Sequence, residues 1–120
     1  MPFTIRETKT YQQPSEIVYQ AALGAIGGLE GKVISEDAEA GQIQAKFDKK
    51  ILGKVLGDRT QIELKIDSQS LGESTVGIEI YPLDPLGRKL MFGARKGVSR
   101  TVANWFIAHL EHRLPEEKKA

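Results

Sequence analysis

His109-Leu-Glu-His112 sets two imidazoles three residues apart with Glu111 beside them. On a helix this spacing lets both rings approach one metal ion, but a stable site needs a third or fourth ligand. No acidic or histidine partner for the pair is identifiable along the chain, so the plain reading is one rim histidine and one exposed one. Cysteine is absent, which excludes thiolate ligands, a cysteine nucleophile and disulfides. Ser99 and Thr101 have only His109 in their neighbourhood, and Ser99 lies nearly three helical turns from it, too far for a Ser/His dyad. Glu36, Asp37 and Glu39 crowd a turn region, where solvation accounts for them, and no carboxylate pair stands at a catalytic separation. The residues assign no catalytic group, no metal and no cofactor. The remaining enzymatic reading is a pocket between sheet and helices near His109.

The side chains that do stand out are cations. Asp48–Arg59 (DKKILGKVLGDR) and Pro82–Arg100 (PLDPLGRKLMFGARKGVSR) hold nine of the 17 Lys and Arg but only three of the 16 Asp and Glu. Their sum is +6, leaving −5 for the rest of a chain whose net charge is +1. The same stretches carry apolar residues that a simple core cannot easily bury. The candidate contacts are Lys50, Lys54, Arg88, Lys89, Arg95, Lys96 and Arg100, with Leu52, Leu56 and Phe92 supplying apolar area. Cations beside exposed apolar groups suit an anionic amphiphile, a phospholipid surface or an acidic protein groove. Gly93–Arg100 adds a potential phosphate or carboxylate site if a helix begins near Gly97, although its spacing is not that of a P-loop. The competing structural reading extends a hairpin through Ile51–Leu56, folds Leu52 and Leu56 over the core and leaves the cations solvated. Apolar loops at one end could also pair two copies of the chain.

Charge this close to zero argues against generic nucleic-acid coating. Tyr81 and Phe92 could stack a base, but no RNA-binding signature accompanies them. No window approaches the ~20 apolar residues of a membrane span, and the N-terminus lacks the apolar run of a signal peptide. Without cysteine, the chain suits a reducing cytoplasm.

The elements that must position these groups follow from hydrophobic period. Ile43, Ala45 and Phe47, then Ile62, Leu64 and Ile66, then Val76, Ile78 and Ile80 alternate with polar residues or glycine, predicting three strands with one wet face each. Phe3–Tyr11 and the shorter Lys32–Asp37 predict two more. Ile17, Val18, Ala21, Ala22, Ala25, Ile26 and Leu29 form one helical face, which the glycines from Gly24 to Gly31 should terminate. Val98, Val102, Phe106, Leu110 and Leu114 form a second stripe ended by Pro115, and its start could reach back to Leu90.

The order β-α-β-β-β-β-α predicts an α+β domain, an antiparallel sheet of about five strands with two helices on one face. Over residues 3–114 this element order resembles small bacterial helix-on-sheet domains of helix-grip or TATA-binding-protein-like arrangement. The resemblance implies a fold; some such domains bind apolar ligands and others serve as assembly parts. A chain of 120 residues is one domain by size, assigned to 1–115, with 116–120 a solvated tail. In an up-down meander, the connection at 48–59 and the exit at 82–97 emerge at one end of the sheet, beside the Gly27–Gly31 turn. The expectation is a binding domain that presents a basic-apolar end.

Overall fold

Strict alternation makes each strand half apolar, and that half needs a cover. In the computed structural model, which describes residues 4–90 and 97–115, two helices supply it. The order is β1 (Ile5–Tyr11), α1 (Ser15–Gly28), β2 (Lys32–Asp37), β3 (Gln42–Phe47), β4 (Lys50–Ile51), β5 (Lys54–Val55), β6 (Arg59–Ser70), β7 (Glu73–Leu83) and α2 (Val98–Arg113). Five strands form one antiparallel sheet in the order β1-β7-β6-β3-β2, and the two-residue strands β4 and β5 pair separately as a small hairpin. The expected α+β class and element order hold, with that hairpin inserted between the third and fourth long strands.

Register carries the apolar parity across the whole sheet. Ile43 lies opposite Leu64, Leu64 opposite Ile78, and Ala45, Ile62 and Ile80 form the next row. These side chains are buried against Val18, Ala22, Ala25 and Ile26 of α1 and Val102, Phe106 and Leu110 of α2. The alanine-rich face of α1 lets that helix lie close to the sheet. Among the described residues the other face of the sheet carries no helix. A bulge between Val33 and Ser35 in edge strand β2 leaves Ile34 exposed.

Two boundaries depart from simple expectation. The helix α1 ends in the glycine-rich run as anticipated, but the left-handed residue there is Glu30, with φ 64°. Gly31 has a different task. A Cβ on Gly31 would lie 2.6 Å from Phe47 Cε1 and 2.8 Å from Ile26 Cγ2, so glycine is required by close packing and not by φ. Its N–H closes the helix by donating to the Ile26 carbonyl at 2.8 Å. The second helix starts at Val98 behind Gly97 (φ 84°) and does not reach back to Leu90. Leu90 instead donates its N–H to the Pro82 carbonyl at 2.8 Å, alongside β7. Among the described residues no helix is long and apolar enough to cross a membrane.

Candidate functional site

The β4–β5 hairpin stands on a buried foot. Ile51 is fully buried, and the Leu56 N–H returns to the Lys49 carbonyl at 2.7 Å. Between Lys50–Ile51 and Lys54–Val55 the loop has two residues, Leu52 and Gly53, with φ of 50° and 83°. Positive φ at both central positions is the type I′ pattern, which favours Asn-Gly or Asp-Gly. A leucine there is held left-handed at a cost of roughly 1–2 kcal/mol. Its side chain is nevertheless 54% exposed, and Val55 is 76% exposed. The Leu52 N–H donates to Glu30 Oε1 at 3.0 Å, so two left-handed non-glycine residues, Glu30 and Leu52, are joined by one hydrogen bond. Lys50 and Lys54 flank the tip, both exposed and without an ion-pair partner among the described residues.

The second stretch leaves the same end of the sheet. Phe47 of β3 faces Thr60, Thr60 faces Pro82 and Arg59 faces Leu83, so both connections start from one row of the ladder. After Leu83 the chain turns back, with the Asp84 N–H donating to the Arg88 carbonyl at 2.7 Å. Asp84 Oδ1 accepts the N–H groups of Leu86 and Arg88, each at 2.9 Å. The backbone N–H of Arg88, foremost among these contacts, holds the Asp84 carboxyl below the usual carboxylate range. Leu86, at the tip of this turn, is 76% exposed.

The other candidates are distributed unevenly. Leu56 is half-buried and packs against the core, as the hairpin-extension reading had it. Arg88 pairs with Asp84 at 3.2 Å. Lys89 folds onto the helix-free face of the sheet, with Nζ 4.6 Å from the Tyr81 ring centroid and 3.9 Å from Glu79 Oε2. Arg100 lies on the first turn of α2 and pairs with Glu7 of β1. Phe92, Arg95 and Lys96, with the first half of the Gly93–Arg100 segment, lie outside the described residues. The hairpin tip therefore gathers Lys50, Leu52 and Lys54. Val55, which the sequence reading omitted, joins them. Its exposure follows from the pairing opposite Lys50, which the residue types alone do not reveal.

His109 meets arginine where an active site would need a carboxylate. Arg113 Nη1 lies 3.2 Å from His109 Nδ1 and donates to the His109 carbonyl at 3.1 Å. A Cβ at Gly28 would lie 3.0 Å from His109 Nδ1, so α1 closes that side of the ring. All three tyrosines instead donate to glutamates: Tyr11 to Glu111 at 2.9 Å, Tyr19 to Glu36 at 2.7 Å and Tyr81 to Glu63 at 2.7 Å. Burial, then the carboxylate partner, pushes each phenol up, Tyr19 to about 12. These pairs tie β1 to α2, α1 to β2, and β7 to β6.

No family model matches the chain, and no curated protein matches it in sequence. Solved structures match its fold. The crystal structure of Ara h 8.0201 superimposes with a TM-score of 0.63 at 12% identity, covering 92% of this chain and 96% of the other. A norcoclaurine synthase point mutant from Thalictrum, in complex with a transition-state analogue, gives 0.50 at 12% identity over 92% and 95%. The di-domain ARO/CYC BexL of the BE-7585A biosynthetic pathway gives 0.57 at 11% identity, covering 92% of this chain. This chain spans under half the length of the two di-domain ARO/CYC proteins, 45% of BexL and 42% of StfQ. At such identities the likeness establishes the fold, a helix-grip arrangement, and nothing finer.

Proposed function

We propose that residues 1–115 form one binding domain that contacts an anionic amphiphile through the β4–β5 hairpin end. The observation that carries this reading is Leu52, an exposed apolar side chain held left-handed between two lysines that have no ion-pair partner among the described residues. Asparagine or glycine would make the same turn at lower cost, so the leucine serves something other than the turn. Leu52 and Val55 offer apolar area to an acyl surface, with Leu86 exposed on the turn that leaves the same end of the sheet, while Lys50 and Lys54 offer charge. Each lysine near an anionic surface contributes about 1 kcal/mol. Burying the exposed half of Leu52 and most of Val55 adds roughly 2–3 kcal/mol. The total describes weak, reversible and salt-sensitive contact, not permanent anchoring.

The rival readings gain less. The hydrogen-bond partner of His109 among the described residues is Arg113, a cation and not a carboxylate, which favours an outward-facing site. Norcoclaurine synthase and the ARO/CYC proteins share the fold, and their names alone transfer no reaction to this chain. Co-sedimentation with vesicles containing phosphatidylserine tests the proposal. Binding should exceed that to pure phosphatidylcholine, weaken with salt, and drop in a Lys50→Glu/Lys54→Glu variant. Identical behaviour of variant and wild type would sink it. Light scattering on the same samples separates self-association: a dimer dissociated by Leu52→Asp assigns the tip to a second copy instead.

A further inference from the structure

The helix-free face of the sheet contains an anomaly at its centre. Gly77 lies in the middle of the 11-residue strand β7, paired with Thr8 on one side and Lys65 on the other. Glycine in a strand interior costs roughly 0.5–1 kcal/mol relative to alanine. It is tolerated there for a bulge, an unusual φ, a crowded backbone or the close approach of a ligand. The register through Thr8, Gly77 and Lys65 is unbroken. Gly77 is not among the positive-φ residues. A Cβ there would meet only the Lys65 carbonyl at 3.8 Å and Lys65 Cβ at 4.0 Å, ordinary contacts. A bulge, a left-handed backbone and a close backbone neighbour are removed, which leaves a local bend of the sheet or an occupant, and room for an occupant is there.

That room is a concavity of about 630 Å³, within the size range of small-molecule sites. We propose that it binds a neutral, hydroxyl-rich molecule, a mono- or disaccharide, seated over Gly77. The chemistry of the walls selects the class. The apolar residues beneath it, Ile43, Leu64 and Ile78, are buried on the core side, so an acyl chain would find no apolar side chain. The two cations of the rim are already paired within the protein. Arg6 pairs with Glu79 at 2.9 Å, and Lys65 leans away to Asp67 at 3.4 Å and to the Ala40 carbonyl at 2.6 Å. An anionic ligand would have to break such pairs, and the carboxylates of Glu63 and Asp37, which have no cation partner among the described ion pairs, would repel it. A hydroxyl, which donates and accepts at once, can add to them.

Donors and acceptors converge on the pit. Glu63 and Glu79 stand directly opposite each other in the register, an unfavourable pairing of like charges that places two carboxylates side by side. Glu63 Oε2 is fixed by the Tyr81 hydroxyl at 2.7 Å and the Gln61 amide at 3.1 Å. Burial and Glu63 keep that phenol protonated, so it stays a donor. The Thr8 hydroxyl, the Gln44 amide and Arg6 complete the rim. The Tyr81 ring is covered by Lys89 and offers no stacking platform, so the affinity expected is millimolar.

The test is a two-dimensional NMR titration with glucose, galactose, N-acetylglucosamine and maltose as probes. At least one should give saturable shifts at Thr8, Glu63 and Gly77 and none at Leu52 or Val55. Gly77→Gln fills the pit and should weaken binding at least tenfold with no loss in melting temperature. Glu63→Gln, which leaves the pit open, should weaken it about tenfold and serves if the first variant folds poorly. Spermidine and octyl phosphate are the charged controls. The proposal is overturned if no sugar shifts this face, if both variants bind like wild type, or if only a charged control saturates it. None of these outcomes bears on the hairpin, whose residues lie outside the pit.

Discussion

Replacing Leu52 with asparagine should leave the protein more stable than replacing it with alanine. Both substitutions remove the covered half of the leucine side chain, which is 54% exposed. That loss is about half of the 1.5–3 kcal/mol of a fully buried leucine, so roughly 1 kcal/mol. Only asparagine gains in return, because its short polar side chain tolerates the left-handed backbone at φ 50°, relieving about 1 kcal/mol of the penalty. Alanine keeps its Cβ and the strain. The net expectation is about zero for Leu52→Asn and about 1 kcal/mol of destabilisation for Leu52→Ala. In a domain of this length that separates their melting temperatures by roughly 4 °C. Calorimetry, backed by urea midpoints at unchanged m, reads the difference. Both variants should lose vesicle binding alike, since both lose the apolar tip. Alanine equal to or above asparagine would show that the tip is not strained, and the case for a leucine kept for contact would fall with it.

Three further outcomes follow from the same contacts. Gly31→Ala forces a methyl to within 2.6 Å of the Phe47 ring and should cost about 1–3 kcal/mol through overpacking, seen as a lower urea midpoint. Glu30→Ala removes the acceptor for the Leu52 N–H; stability should fall by about 1 kcal/mol, and hydrogen exchange at the Leu52 amide should accelerate. Alkaline pH should destabilise the fold: Tyr19 is pushed up to about 12 by burial and Glu36, while an unfolded tyrosine ionises near about 10. The unfolded state therefore sheds its proton first, and stability, intact below about pH 10, declines as pH rises towards 12. Urea midpoints in Tyr19→Phe should show a shallower decline.

The sheet was legible because its residues obey one rule at once. In β3, β6 and β7 as far as Ile80 the aliphatic residues keep a single parity, so one register satisfies all three, and the helix stripes have one face to cover. The meander then requires the connections after β3 and β7 to leave from the same end, which needs only strand direction. The fine structure of the site was not legible, for two different reasons. Leu52, Val55 and Leu56 are similar in type, and their burial depends on hairpin pairing: Lys50 opposite Val55 sends one apolar residue into the core at Ile51 and others out. The fates of Lys89 and Arg100 depend on partners remote in sequence, Glu79 with Tyr81 and Glu7, which composition cannot reveal. Gly77 is the instructive middle case. Its place on the wet parity of β7 was plain in the alternation, but only the unbroken ladder and open space around it show that neither a bulge nor crowding explains it. A glycine with no bulge, left-handed backbone or close neighbour to require it, edged by carboxylates, an amide and a hydroxyl, is a stronger pointer to a ligand than a cluster of cations. Surface cations have many ordinary explanations, whereas a strand-centre glycine has few.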